Sequence, residues 1–98
     1  MGSLGLFKND KLIEKIKFPV TRAGDRSIVK YTVKNQVGNF MVIEKIILHH
    51  PEVKIEKAPK TLEPLEKQEI IFSWSPAKES TSALKTLVEF EVVIGRDE

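Results

Sequence analysis

Apolar residues recur at every second position through most of the chain, which is the pattern of β-strands that bury one face. In the clearest run, from Leu84 to Ile94, the even-numbered positions are apolar or threonine, and the odd-numbered positions are largely charged. A helix would spread these residues around its circumference, so the pattern predicts one long strand. Alternation predicts six further strands, over residues 4–8, 11–18, 27–35, 40–48, 53–57 and 68–75.

The apolar faces of these strands predict the hydrophobic core. Trp74 lies on the same face as Ile70 and Phe72, so it is predicted to anchor the core rather than to stack on a sugar or a base. Tyr31 is predicted to point inward with its hydroxyl near an edge. The other residues predicted to face inward are Leu12, Ile16, Phe18, Val29, Val33, Val88, Phe90 and Val92.

The connections between the predicted strands are too short for crossover helices, which favours antiparallel pairing. The sequence therefore predicts an all-β fold, with about seven strands in one antiparallel β-sandwich. The alternation breaks at Glu44 and Lys45, which predicts a β-bulge or a bend there. A chain of 98 residues is too short for two cores, so residues 1–98 form a single domain, ordered over 3–95 with a mobile tail over 96–98.

Composition narrows the chemistry that the chain can perform. It has no cysteine, which excludes disulfides, thiolate nucleophiles and cysteine-ligated metals. The net charge of +2 is too small to indicate a nucleic-acid partner by itself. With no signal-peptide pattern and no cysteine, the expected location is intracellular and cytoplasmic, and a virion is also compatible.

Several turn and strand motifs follow one another in an order that resembles a known family. They are the turn Gly24-Asp25, the strand end Tyr31-Thr32-Val33-Lys34-Asn35, the segment over 59–64 with its Leu62-Glu63-Pro64 turn, and Trp74-Ser75-Pro76. Over about residues 12–94 the order is similar to that of the immunoglobulin-like sandwiches of the Hydin-type (ASH) and major sperm protein group. Members of that group mostly bind proteins or build filaments and ciliary, centrosomal or membrane-contact structures.

The resemblance implies one more strand than the pattern provides. Family members usually have a further strand after the one that begins near Leu84, but here the sequence ends at Glu98. Either the stretch over 80–94 contains a cramped hairpin or the last strand is missing, and the unbroken alternation favours the second reading. The sheet would then keep an open edge unless the N-terminal segment or another chain covers it. The candidate interaction edge consists of Leu84, Thr86, Val88, Phe90, Val92 and Ile94.

Two further surfaces are candidates for binding. Apolar residues on faces opposite the predicted core could form an exposed apolar patch that marks a protein interface. Lysines on the polar faces of two early strands could form a basic face that attracts acidic lipid headgroups or nucleic acid, or they could simply be solvated and protect an edge. The patch comprises Ile28, Ile71, Leu87 and Val93, and the basic face comprises Lys11, Lys15, Lys17, Lys30 and Lys34.

Catalytic and metal-binding patterns are absent from the sequence. His49 and His50 are adjacent, so their side chains would point to opposite faces of a strand and not converge on one metal. No serine elbow with spaced histidine and aspartate occurs, and no glycine-rich phosphate loop. The sequence does not predict an enzyme, a cofactor or a small-molecule substrate.

The leading hypothesis is a non-catalytic structural or protein-interaction module within a larger assembly, either a cytoskeletal or ciliary-type scaffold or a virion component. Its partner would be another protein or a copy of itself, bound by strand addition or by face packing. The alternative is a ligand-binding module for carbohydrate or anionic lipid. That alternative needs Trp74 or Phe40 to be exposed, or the lysines to gather in one groove.

Overall fold

A computed structural model describes residues 3–79 and 81–95, and the tail predicted over 96–98 lies outside the described residues. The described residues contain no helix, and every strand pairing is antiparallel, which confirms the predicted all-β antiparallel class. The strands of this part of the chain are β1 (Leu4–Lys8), β2 (Lys11–Ile13), β3 (Lys15–Phe18), β4 (Ser27–Asn35), β5 (Met41–Leu48), β6 (Val53–Lys57), β7 (Thr61–Leu62), β8 (Lys67–Trp74) and β9 (Leu84–Ile94).

These strands form two sheets, one in the order β2-β1-β4-β8-β6 and the other in the order β3-β9-β5-β7. The strands β1, β4, β6 and β9 have the bounds that alternation predicts, while β5 and β8 differ by one residue at their ends. The pairing of β5 with β9 shifts register between Ile43 and Lys45, which confirms the predicted bulge. The two-residue strand β7 is not apparent in the sequence pattern.

Buried side chains from both sheets form one hydrophobic cluster. Phe18 from β3 and Trp74 from β8 join the two sheets, with ring centroids 5.9 Å apart. The predicted core residues Val33, Ile70, Phe72, Trp74 and Val88 are buried, and so is Tyr31. Val29, Phe90 and Val92 pack against this cluster as predicted, but their side chains are only partly buried.

The single strand predicted over 11–18 is divided at Glu14. Residues before Glu14 pair with β1 in one sheet, and residues after it pair with β9 in the other sheet. Crossing between sheets resets which side chains face inward, so the predicted inward position of Leu12 is wrong: its side chain is 64% exposed. Ile13 packs against the core instead, whereas Ile16 and Phe18 are fully buried as predicted.

Asn35, at the end of β4, connects the β4–β5 loop with the loop after β7 through its buried side chain. Its Nδ2 donates to the carbonyl oxygens of Asn39 at 2.7 Å and Glu63 at 3.0 Å. Its Oδ1 accepts from the N–H of Val37 at 3.1 Å. An apolar residue here would leave these backbone groups without partners, so the amide is the side chain that this junction requires.

Candidate functional site

The predicted interaction edge, β9, lies inside its sheet between β3 and β5, so it is not an edge along its whole length. On one side β5 pairs with β9 from Val88 to Ile94. On the other side β3 pairs with β9 only from Leu84 to Leu87. The N-terminal strand β1 (Leu4–Lys8) does not cover this strand, because β1 belongs to the other sheet and pairs with β2 and β4.

Strand alternation shows which backbone groups of β9 face the side that β3 leaves uncovered. The N–H of Gly95 donates to the carbonyl of Phe40 at 2.7 Å, so odd-numbered residues of β9 direct their backbone groups toward β5. Even-numbered residues therefore direct theirs to the opposite side, where the described chain has no strand beside Phe90, Val92 and Ile94. We call this side of residues 90–94 the open edge.

The neighbouring edge of β3 is protected, in contrast to the open edge. The Tyr31 hydroxyl reaches across from the other sheet and accepts from the backbone N–H of Lys17 at 2.8 Å. The exposed side chains of Lys15 and Lys17 also flank that edge, and lysine discourages pairing with another strand. The open edge, with the sequence Phe-Glu-Val-Val-Ile, contains neither lysine nor proline.

A groove of about 590 Å³ lies at the start of the open edge, between Leu87, Val88 and Phe90 of β9 and the β1–β2 hairpin. Leu12 in its lining is 64% exposed, and further along the open edge Val93 is 45% and Ile94 is 41% exposed. Exposed apolar surface beside unpaired backbone groups is typical of a binding surface rather than of a solvated one. The open-edge groove is lined by Leu4, Leu6, Leu12, Ile13, Glu14, Gln36, Leu87, Val88 and Phe90.

The exposed apolar patch predicted from the sequence is not one surface. Ile28 and Ile71 lie on β4 and β8 of the five-stranded sheet, whereas Leu87 and Val93 lie on β9 of the other sheet. Ile28 is 54% exposed, but Ile71 is partly covered and stands opposite Lys30. The prediction is wrong because it required these strands to be neighbours, and the strand order separates them.

The predicted basic face is also divided between the sheets. Lys11, Lys30 and Lys34 belong to the five-stranded sheet, and Lys15 and Lys17 belong to the four-stranded sheet. The structure instead gathers four lysines around a groove of about 540 Å³, which we call the lysine groove. Its lining consists of Lys8, Lys15, Lys17 and Lys85 with Ile13, Pro19 and Tyr31.

The basic face predicted from the sequence does not include Lys8 and Lys85, although alternation places both on predicted strands. Lys8 lies at the end of β1 in the β1–β2 hairpin, and its Nζ lies 5.1 Å from the centroid of the Tyr31 ring. Lys85 stands directly opposite Lys17 in the β3–β9 pairing. Like charges opposite each other repel, so an anion bound in the lysine groove would reduce this repulsion.

The two histidines contact different partners. His49 Nε2 lies 2.9 Å from Glu89 Oε1, while His50 Nδ1 accepts from the N–H of Glu52 at 3.1 Å and its ring stands edge-on to Trp74. In the parts of the chain that the structure describes, no group of three or more histidine or acidic side chains is placed to hold a metal ion.

Glu52 stabilises the turn that follows β8. Its carboxylate accepts from the backbone N–H of Ala77 at 2.9 Å and from Trp74 Nε1 at 3.3 Å. These two hydrogen bonds, the backbone one more than the indole one, hold the pKa of Glu52 below its ordinary value. The Glu52 carboxylate therefore has a structural role, because both of its oxygens already accept hydrogen bonds within the chain.

Comparisons with protein-family models, curated proteins and solved structures found no match for this chain. Over residues 3–79 and 81–95, no helix has the length and apolar character needed to cross a membrane.

Proposed function

We propose that this chain is a non-catalytic protein-interaction module that works within a larger assembly. The observation that carries this proposal is the open edge of β9 beside its apolar groove. Unpaired N–H and C=O groups next to apolar side chains suit an extended segment, which hydrogen-bonds through its backbone and inserts alternate side chains. No catalytic constellation in the sequence competes with this assignment.

The pairing of strands supports an immunoglobulin-like sandwich. In that fold, strands A, B, E and D form one sheet, and strands C, F and G form the other. Here β1, β4, β8 and β6 follow the order of A, B, E and D, while β5 and β9 correspond to C and F. The place of strand G, beside F, is taken by β3 over four residues and is open over the rest of β9.

The resemblance to the ASH and major sperm protein group is supported by Asn35. Two of the motifs that suggested the resemblance meet there, because the Asn35 side chain donates to the carbonyls of Leu62 and Glu63. That group favours a cytoskeletal or ciliary-type scaffold in the cytoplasm, and a virion component uses the same kind of module. In both settings the partner is a protein.

Hydrogen exchange followed residue by residue by NMR tests this function on the dilute chain, whose size is checked by sedimentation. In a monomer, the amides of Phe90, Val92 and Ile94 should exchange fast, whereas those of Glu91 and Val93, which bond to β5, should be protected. Addition of a strand, by a copy at high concentration or by a partner, should slow the first three amides selectively.

Equal protection of all five amides in the monomer would overturn the proposal, because the chain would then close its own edge. Val93→Pro provides a matched control for the assignment of sides. It removes an N–H that faces β5, so it should destabilise the fold, whereas Val92→Pro removes one that faces the open side and should not break the β5 pairing.

A second candidate function, contact with anionic lipid, is favoured by the lysine groove. Lys8, Lys15, Lys17 and Lys85 surround an apolar floor, and the four ion pairs seen among the described residues include none of them. An anionic headgroup could bind among the ammonium groups. Carbohydrate binding loses its main support, because Trp74 is only 5% exposed and lies in the core.

A further inference from the structure

We infer that the open-edge groove binds an extended segment of another protein in which apolar and basic residues alternate. This partner chemistry rests on the proposed function and specifies it. The segment would run along β9 beside Phe90 to Ile94, which β3 does not reach because the residues before Glu14 belong to the other sheet.

The chain's own β3 shows what this side of β9 accepts. Its sequence is Lys-Ile-Lys-Phe, and it pairs antiparallel with residues Leu84 to Leu87. Ile16 and Phe18 enter the core and are fully buried, while Lys15 and Lys17 remain exposed. An incoming strand that continues the same ladder past Glu14 would have the same division between an inner and an outer face.

The inner positions of the segment must be apolar. Phe90 and Val88 of β9, together with Leu4 and Leu6 of β1, contribute to a mostly apolar lining, in which Glu14 and Gln36 are the polar residues. A polar side chain inserted against the apolar residues would lose its water without gaining a hydrogen bond from them. Phe90 is only partly buried although it lies on the inner face, which indicates that this part of the core lacks a cover.

The outer positions of the segment favour basic residues. Its outward side chains would stand beside Glu89 and Glu91, and Glu14 lies at the mouth of the groove. Glu89 contacts His49, and Glu91 stands opposite Lys45, but both of these partners are on the β5 side. On the open side, no cation of the described chain stands across from these two glutamates, so lysine or arginine on the segment completes the cross-strand pairs.

The same glutamates argue against a second copy of the chain as the occupant. If two copies of β9 paired antiparallel over residues 90–94, Val92 would stand opposite Val92 and the two Glu91 side chains would be diagonal neighbours on one face. Like charges this close across a strand pair are unfavourable, so charge complementarity favours a different chain with basic residues.

Three blocked seven-residue peptides test the inference. One alternates valine with lysine, one alternates valine with glutamate, and one has the composition of the first with its lysines grouped together. Titration by NMR should show the alternating basic peptide slowing exchange at Phe90, Val92 and Ile94. At low salt we expect it to bind at least tenfold more tightly than either other peptide. Its advantage over the acidic peptide should shrink in high salt, which screens surface charge.

Variants of the full chain separate the charge from the backbone contribution. Glu89→Lys together with Glu91→Lys should reverse the preference, so that the acidic peptide binds more tightly than the basic one. Val92→Pro should abolish peptide binding, because the ring removes a donor and blocks the approach of a strand. Val92→Thr is the matched control, since it keeps the N–H and the branched side chain, and it should bind as the parent does.

Each contrary result has its own meaning. Equal binding of the basic and acidic peptides, equal binding of the grouped peptide, or an unchanged preference in the double variant would overturn the proposed partner chemistry. Dimerisation of the parent that protects the same three amides would also overturn it in favour of a second copy, while the protein-interaction function would stand. Protection of those amides in the free monomer would instead overturn the function itself. If Val92→Pro does not fold, the double variant Glu89→Lys with Glu91→Lys still tests the proposed partner chemistry.

Discussion

Glu52 illustrates how one residue secures a loop and makes stability depend on pH. Its carboxylate accepts hydrogen bonds from Ala77 and Trp74, and these lower its pKa in the folded state. Its contribution to stability is therefore fully present above its ordinary pKa of 4.5 and is lost as the pH falls through the lowered value.

We expect Glu52→Gln to lower the melting temperature at neutral pH and to lose this effect at strongly acidic pH, where the parent carboxylate is also neutral. Thermal melts across the pH range, followed by circular dichroism, measure the difference. Glu44→Gln, at the exposed bulge of β5, is the control and should melt like the parent at neutral pH. A deficit of Glu52→Gln that persists undiminished in acid would show that the negative charge does not matter.

At the scale of strands, two phenylalanines with the same alternation differ in their surroundings. Phe72 lies in β8 between β4 and β6 and is fully buried, whereas Phe90 lies in β9 beside the open-edge groove and is partly exposed. We expect Phe72→Ala to cost about 3–5 kcal/mol and Phe90→Ala to cost less than about 2 kcal/mol, because a half-covered ring loses fewer contacts. Urea denaturation measures both; equal costs would mean that the groove is closed.

At the scale of the whole molecule, the hairpin β1–β2, the crossing at Glu14 and β9 together create the lysine groove. We expect the chain to bind vesicles that contain phosphatidylserine and not those of phosphatidylcholine alone. Lys15→Gln with Lys85→Gln should weaken binding about tenfold or more, at about 1 kcal/mol for each lysine near the surface. Lys54→Gln with Lys60→Gln removes the same charge elsewhere, and an equal loss there would contradict a specific groove.

The sequence by itself determined the strands and most of the core. The bounds of β1, β4, β6 and β9 and the bulge in β5 follow from side-chain alternation, which is a local property because successive residues of a strand point to opposite faces. The burial of Trp74 and of the Tyr31 ring follows for the same reason.

Only the tertiary structure decided which strands are neighbours, and every surface depends on that. The crossing at Glu14 exposed Leu12 and kept β3 from beginning before Lys15, which left Phe90 to Ile94 open. The strand order places Ile28 and Val93 in different sheets, and it places Lys8 and Lys85 around the same groove. Alternation cannot specify such pairings, because it records which face of a strand is buried and not which other strand lies beside it.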